Sequence, residues 1–160
     1  MIFSDKAMQD HDAAMTPINL RPAKLTDARY ILELEEQCMR GYAIALWGNW
    51  QPSETVETLK VDGHEIIEKA GKTMGCVAVV WHPDHLFIKK LYIGPGHQGQ
   101  GVGAQVLRHK TQAAANEGLP TKLSVLTTNP ADRFYRREGF SVESETPERR
   151  RMVKPLPAGQ

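Results

Sequence analysis

Region 64–93 constrains the fold of this chain most, because apolar and polar residues alternate along much of it. Two stretches with this period of two, His64–Lys69 and Met74–Trp81, flank the short loop Ala70–Lys72 and are typical of a β-hairpin. A turn that contains a proline then leads into a third apolar stretch, Leu86–Ile93. The spacing therefore predicts three antiparallel strands in a meander.

Helical periodicity occurs on both sides of this meander. It predicts one helix that begins after Asp27 and ends at Gly41, and another over about 101–117. The other predicted elements are a strand at Ile18–Pro22, a more polar helix from Pro52 to about Leu59, a strand at Lys122–Thr127, a helix over about 130–138 and strands from Phe140 onward. This order predicts an α/β fold, with a mixed sheet and helices on both faces. We expect a single domain over 18–155, with loose tails at 1–17 and 156–160.

Composition argues against several classes of protein. The 160 residues include 20 Lys and Arg against 19 Asp and Glu, and a net charge of +1 gives no reason to expect a nucleic-acid or membrane partner. Cys38 and Cys76 are far apart and form no Cys-x-x-Cys motif, so neither a metal site nor a disulfide framework is expected. Few cysteines, no long apolar run and no secretion signal predict a cytoplasmic protein.

Glycine is concentrated in Gly94–Gly103, between the last strand of the meander and the following helix. Backbone N–H groups at a helix N-terminus favour an anion, and glycines allow it to approach closely. The spacing Gly94-x-Gly96-x-x-Gly99 fits a dinucleotide fingerprint, but the next strand ends at Asn129 without the acidic residue that such a site needs. A nucleotidase-type phosphate loop would need Gly-Lys-Ser/Thr, and here Gly-Val-Gly follows. A turn without a ligand is the remaining alternative.

A later register of the same segment, Gln98 to Gly103, reads Gln-x-x-Gly-x-Gly and follows an apolar strand. About thirty residues further along, Asn129, Ala131, Tyr135 and Gly139-Phe140 form a second pattern. Together and in this order, the two patterns resemble the pyrophosphate loop and closing signature of the GNAT superfamily of N-acetyltransferases. The resemblance covers about residues 18–155. It implies a mixed, mainly antiparallel sheet of six to seven strands, splayed in the middle and flanked by about four helices.

The resemblance also implies that acetyl-CoA is the cofactor, and it assigns residues to the binding site. The expected cofactor-binding residues are Leu91, Tyr92 and Ile93 for the pantetheine arm, Gln98, Gly99, Gln100, Gly101, Val102 and Gly103 for the pyrophosphate, and Asn129 and Tyr135 nearby. Four arginines could steer the phosphates: Arg108, Arg133, Arg136 and Arg137. Tyr135 is expected to be the general acid that protonates the leaving thiolate. Asn129 and Tyr135 also have structural explanations, a helix start and aromatic packing.

The acceptor side is less well defined by the sequence. The attacking amine must lose a proton, and four residues lie on or near the central strands: Glu65, Glu68, His82 and His85. We take Glu68 as the candidate base. Relatives often carry an acid where this chain has Lys89-Lys90, a difference that favours an acceptor with a negative group. Tyr42, Trp47 and Trp50 are candidates for an aromatic acceptor wall, or alternatively close the end of the core.

The predicted function is that of an N-acetyltransferase, which moves the acetyl group from acetyl-CoA to a primary amine of a small molecule or peptide by direct attack. Because no base is evident, a non-catalytic acyl-CoA-binding or sensing domain is the alternative. A module that binds RNA or phosphate through the basic C-terminal half is a third reading, although no RNA-binding motif is present. The identity of the acceptor and the formation of a homodimer are left open.

Overall fold

The computed structural model describes residues 17–158, which form one seven-stranded sheet and three α-helices. The strands are β1 (Ile18–Pro22), β2 (His64–Lys69), β3 (Lys72–Trp81), β4 (Leu86–Ile93), β5 (Thr121–Leu126), β6 (Ser141–Glu145) and β7 (Arg149–Lys154), and the helices are α1 (Ala28–Trp47), α2 (Val102–Asn116) and α3 (Asp132–Arg137). The strand order is β1-β2-β3-β4-β5-β7-β6, and only β4 and β5 pair in parallel. The predicted mixed, mainly antiparallel fold is confirmed. The predicted N-terminal tail lies almost wholly outside the described residues, as do the last two residues of the C-terminal tail.

The hairpin between β2 and β3 closes with a turn of two residues. Ala70 and Gly71 have φ angles of 52° and 76°, a pair of positive values that matches the twist of the flanking strands. Lys72, which was predicted to belong to the loop, instead begins β3 and pairs with Lys69.

Helix α1 is longer than predicted, because Gly41 does not end it. The helix continues to Trp47 and ends at Gly48, whose φ of 81° is left-handed and whose N–H donates to the carbonyl of Ile44 at 2.8 Å. Ala43 is buried in the added turns. Its packing offsets the cost of a glycine inside a helix, about 1 kcal/mol.

The prediction of a polar helix from Pro52 to about Leu59 was also wrong, because residues 55–59 form a turn. The N–H of Thr55 donates to Oγ1 of Thr58 at 2.8 Å, and the N–H of Leu59 donates to the carbonyl of Thr55 at 2.9 Å. A threonine hydroxyl that bonds to nearby backbone gives the chain an alternative to a helix. The buried side chain of Leu59 anchors this turn in the core.

A helix packs on each face of the sheet. Helix α1 packs Ile31 against Ile66 and Cys76, and α2 packs Val106 against Val77. We call these two sides the α1 face and the α2 face. Burial of each such aliphatic side chain contributes about 1.5–3 kcal/mol. The two helices therefore hold the central strands between two apolar layers.

Strand β4 contains one more residue than its partner β3. The pairing register shifts between Ala78 and Val79 and leaves Lys89 without a partner, so Lys89 forms a β-bulge. On its other edge, β4 pairs with β5 only through Leu86 and Phe87. A bulge bends the strand that contains it. Beyond Phe87 the two strands diverge, and the splayed sheet that the sequence predicted is confirmed.

No helix within residues 17–158 combines the length and apolar character that a membrane crossing needs. The same residues contain no cluster of three or more potential metal ligands from His, Cys, Asp and Glu.

Candidate functional site

A cavity of about 680 Å³ lies where β4 and β5 diverge. Leu91, Val102 and Tyr135 line it, and their neighbours in the core belong to the α2 face. Cys38 of α1 and Tyr92, which packs with α1, line it from the α1 face. The cavity therefore passes through the sheet, and two ligands can meet in it from opposite faces.

Strand β4 presents to this opening backbone groups that do not pair with β5. The N–H of Gly94 donates to a carbonyl of β3 at 2.8 Å, and this register directs the backbone of Tyr92 toward β3. The backbone groups of Leu91 and Ile93 alternate with it and face the opening. The carbonyl of Ile93 already accepts hydrogen bonds from Nε2 of Gln98 at 3.0 Å and from Sγ of Cys38 at 3.5 Å. The backbone groups of Leu91 and the N–H of Ile93 thus face the opening for a ligand, whereas Tyr92 offers its side chain.

The glycine-rich segment leads directly into the N-terminus of α2. Gly99 and Gly101 have φ angles of 76° and 81°, a left-handed conformation that favours glycine. No side chain caps the first turn of α2, so its N–H groups and the positive end of the helix dipole are available to an anion. Five of the six predicted loop residues line the cavity, namely Gln98, Gly99, Gly101, Val102 and Gly103, and Gln100 does not.

Tyr135 lies on α3 and both lines the cavity and packs in the core. Its ring centroid lies 5.1 Å from that of Phe134 and 5.8 Å from that of Phe140, both in edge-on arrangements. Burial raises the pKa of Tyr135 to about 12. The phenol therefore stays protonated at neutral pH and can donate a hydrogen bond into the cavity.

Asn129 lines the cavity and also organises the chain before α3. Its Oδ1 accepts a hydrogen bond from the N–H of Ala131 at 2.9 Å. Helix α3 begins at Asp132, two residues later than predicted. The structural explanation offered for Asn129 is consistent with this contact.

Comparison with known proteins identifies the family. The model of the acetyltransferase (GNAT) domain matches residues 62–142, just over half of the chain, and this range includes the glycine-rich loop and Tyr135. The chain belongs to the GNAT acetyltransferase family. No curated protein matches its sequence.

Solved structures share the fold of this GNAT acetyltransferase at low sequence identity. PaiA N-acetyltransferase from Thermoplasma acidophilum, in complex with coenzyme A, has a TM-score of 0.68 and 15% identity, with 88% of this chain and 99% of that chain covered. An acetyltransferase from Thermus thermophilus has a TM-score of 0.68 and 24% identity, with 90% and 99% covered. N-acetylglutamate synthase from Neisseria gonorrhoeae, complexed with coenzyme A and L-arginine, has a TM-score of 0.66 and 20% identity, with 87% of this chain but 33% of that chain covered.

The charged residues that line the cavity of this acetyltransferase are all basic. Among the described residues they are Lys89, Lys90, Arg137 and Arg149, without a carboxylate. Arg137 is the last residue of α3, whose Phe134 and Tyr135 pack on the α2 face. Of the four arginines expected to steer the cofactor, it is the one that lines the cavity.

Two of the other arginines are held by acidic neighbours. Nε of Arg108 lies 2.7 Å from a carboxylate oxygen of Glu138, and Nε of Arg136 lies 3.5 Å from one of Asp132. The Glu138 carboxylate holds the pKa of Arg108 above its usual value. These contacts direct both guanidinium groups to the protein surface.

One of the three aromatic residues expected at the acceptor side reaches the cavity. Tyr42 lines it, and the backbone carbonyl of Tyr42 accepts a hydrogen bond from Thr128 Oγ1 at 2.7 Å. Trp47 and Trp50 are not among the lining residues. Trp47 is 44% exposed, and its ring lies 5.7 Å from the guanidinium carbon of Arg149.

Glu68, the candidate base, does not line the cavity. Its carboxylate accepts hydrogen bonds from Arg21 Nε at 3.4 Å and from Asn19 Nδ2 at 3.2 Å, both on edge strand β1. The other three candidates are also elsewhere: Glu65 pairs with Lys110 of α2, and His82 and His85 stack on each other at the β3–β4 turn. The structure therefore brings none of the four to the opening.

An ion pair that the sequence analysis did not identify lies at the α1 face of the cavity. Lys90 Nζ lies 3.2 Å from Oε2 of Glu35 on α1, and both side chains are largely buried. The sequence contains an indication of this ion pair, since Glu35 occupies the apolar stripe of α1 at helical spacing from Ile31 and Cys38. A carboxylate on such a stripe predicts a buried cationic partner.

Proposed function

We propose that this acetyltransferase moves the acetyl group of acetyl-CoA to a primary amine by direct attack of the amine on the thioester. The observation that carries the proposal is the cavity through the sheet. An uncapped helix N-terminus and a glycine loop lie on its α2 face, and α1 leaves room for a second ligand on the other face. The acetyl donor and the acceptor can thus meet between β4 and β5.

The residues present on the α2 face fit acetyl-CoA, which supplies the activated acetyl group. The N–H groups of the first turn of α2 suit the pyrophosphate, and Arg137 adds a cation to the lining of the same cavity. The outward backbone groups of Leu91 and Ile93 suit the amides of the pantetheine arm, which would pair with β4 as an added strand. Family membership and two similar structures solved with coenzyme A support this cofactor.

Tyr135, which lines the cavity and packs on the α2 face, is the proposed proton donor for the leaving thiolate. With its pKa at about 12 and an ordinary thiol near 8.5, complete proton transfer would be uphill by about 5 kcal/mol. The same buried site also raises the pKa of the thiol, because desolvation disfavours its thiolate. Tyr135 therefore acts first as a hydrogen-bond donor to the developing negative charge and delivers its proton as that charge becomes confined in the apolar site.

The charge of the cavity helps the amine to lose its proton. Glu54, 3.8 Å from Lys89, and Glu35, 3.2 Å from Lys90, offset part of the charge of these two lysines, whereas Arg149 forms no salt bridge within residues 17–158. An ammonium ion placed beside Arg149 therefore has a lowered pKa and yields the neutral amine more readily. Water in the cavity then carries the proton away, without a carboxylate at the wall. Backbone N–H groups of β4 at the opening are the donors available to the carbonyl oxygen as it gains negative charge.

Two measurements test the proposal. At a concentration of acetyl-CoA one hundred times the dissociation constant, binding adds about 2.7 kcal/mol to stability and should raise the Tm by about 5–10 °C. Amine-dependent release of free thiol from acetyl-CoA should then be detectable with one or more classes of primary amine. No thermal shift at millimolar acetyl-CoA would refute the cofactor assignment. A shift without thiol release for any amine would instead indicate a non-catalytic acyl-CoA-binding domain.

A further inference from the structure

Lys90 has hydrogen-bonding capacity that the protein does not use. Its side chain is 5% exposed, it lies on the α1 face of β4, and it lines the cavity. Although Nζ is 3.2 Å from Glu35 Oε2, neither atom makes a hydrogen bond with any residue in 17–158. A buried ammonium whose N–H groups are unsatisfied carries a desolvation cost that a bound anion would relieve.

A second unsatisfied polar group faces the same cavity from the other side of the opening. Ser124 of β5 lines the cavity, and its buried Oγ makes no hydrogen bond within the described residues. Its neighbours Leu123 and Val125 pack on the α2 face, so by strand alternation Ser124 lies on the α1 face, as Lys90 does. The two groups therefore belong to the same side of the cavity.

Arg149 completes this side at the rim. It pairs with Leu126 across the β5–β7 ladder, so its side chain shares the face of Ser124, and it is exposed. No acidic residue in 17–158 forms a salt bridge with it, and its guanidinium rests near the ring of Trp47. Two cations and one hydroxyl donor thus line the α1 face of the cavity.

We propose that Lys90, Ser124 and Arg149 form a subsite for a carboxylate on the acceptor, so that the preferred acceptor is a small molecule that carries both a primary amine and a carboxylate, as amino acids do. The inference rests on the proposed function. Lys90 Nζ and Ser124 Oγ would donate hydrogen bonds to the carboxylate in the buried part of the cavity, while Arg149 attracts it from the rim. The amine of the same molecule would then lie in the opening.

The phosphates of acetyl-CoA are a poor explanation for these donors. Val102, at the start of α2, packs with Val77 on the α2 face, whereas Ser124 and Arg149 lie on the opposite face of β5 and β7. The α1 face therefore has its own cationic site, on the side from which the acceptor approaches. Glu35 alone does not satisfy Lys90, because the pair lacks hydrogen-bond geometry.

The test compares acceptors that differ only in the carboxylate. Thiol release is measured for a panel of amino acids, for their carboxamides and for the corresponding decarboxylated amines. We expect kcat/KM to be about 10- to 100-fold higher for a carboxylate-bearing acceptor than for its carboxamide, as charge-assisted hydrogen bonds produce. In Lys90→Met and Arg149→Gln this ratio should fall toward one, mainly through a higher KM for the carboxylate form.

Lys110→Met is the matched control, because Lys110 is also a largely buried lysine beside a glutamate, Glu65, but lies outside the cavity. It should keep the wild-type ratio. Arg149→Gln keeps the test decisive if Lys90→Met does not fold, since Arg149 is exposed.

Equal or better activity with carboxamides and plain amines would overturn the carboxylate subsite and leave the acetyltransferase function standing. A wild-type ratio in both Lys90→Met and Arg149→Gln would likewise overturn it. The absence of an acetyl-CoA thermal shift would instead refute the proposed function itself.

Discussion

The glycine loop gives the sharpest prediction, because the chain contains two glycines in the same backbone conformation at opposite ends of α2. Gly101 precedes the helix with φ 81°, and Gly118 follows it with φ 74°. A Cβ built on either residue meets no atom within 4 Å. Substitution by alanine therefore introduces backbone strain without a clash at both positions. Only Gly101 lines the cavity.

The strain of a left-handed alanine is about 1–2 kcal/mol, which corresponds to a Tm lower by about 2–8 °C for a chain of this size. Gly101→Ala and Gly118→Ala should thus be destabilised similarly. A Cβ at Gly101 would also occupy the space where the pyrophosphate approaches the backbone. We expect Gly101→Ala to raise the dissociation constant for coenzyme A at least tenfold, about 1.4 kcal/mol, and Gly118→Ala to leave it unchanged.

Isothermal titration calorimetry at a temperature well below both Tm values measures the affinities, and thermal denaturation without ligand measures the strain. If Gly101→Ala binds coenzyme A as tightly as Gly118→Ala does, the loop does not hold the pyrophosphate. If the two variants differ strongly in Tm, the assumption of equal strain is incorrect. The affinities must then be compared at equal fractions of folded protein.

Three further predictions concern the chemistry and the fold. Tyr135→Phe should lower kcat by about 10²- to 10⁴-fold with little change in coenzyme A affinity, and steady-state kinetics with an unchanged kcat would remove Tyr135 from proton transfer. Gly75→Ala should lower the Tm by several degrees, because its Cβ would overlap the carbonyl oxygen of Tyr92, and an unchanged Tm would argue against this close approach of β3 and β4. The guanidinium of Arg21, 2.8 Å from Asp27, holds the pKa of the Asp27 carboxyl below its usual value. The stability that this ion pair contributes is therefore present above about pH 4 and is lost as the pH falls through the lowered pKa of the folded state. Asp27→Asn should flatten the profile of Tm against pH below about pH 4, and a profile as steep as that of the wild type would exclude this pair as a cause.

The sequence predicted the central strands and the loop because these features depend on local chemistry. Alternation defined His64–Lys69 as a strand, and glycines marked the turn between strand and helix. The prediction failed where distant contacts decide the outcome. Gly41 is a reasonable helix end by local preference, yet α1 continues past it because Ala43 in the next turn is buried. Local propensity cannot anticipate such packing.

The predictions for the candidate site also depended on whether a local sequence pattern marked the residue. Gly101 and Tyr135 were predicted because their spacing in the sequence is a recognisable pattern, and both line the cavity. Glu68 was chosen for its residue type and strand alone, and it lies beside Arg21 instead. Ser124 has no sequence signal, because its significance arises only from the absence of a partner among the described residues of the folded protein.

The β-bulge at Lys89 connects the fold to the chemistry of the site. In a regular strand Ile88, Lys90 and Tyr92 would share one face. With the extra residue, Ile88 packs on the α2 face with Leu91, while Lys90 and Tyr92 lie on the α1 face. The register shift against β3 thus keeps apolar residues toward α2 and directs Lys90 to the α1 face, in the part of β4 that diverges from β5. Because one inserted residue accompanies both the opening and the cation that borders it, the bulge at Lys89 explains why Lys90 lies on the α1 face, where we propose that the acceptor carboxylate binds.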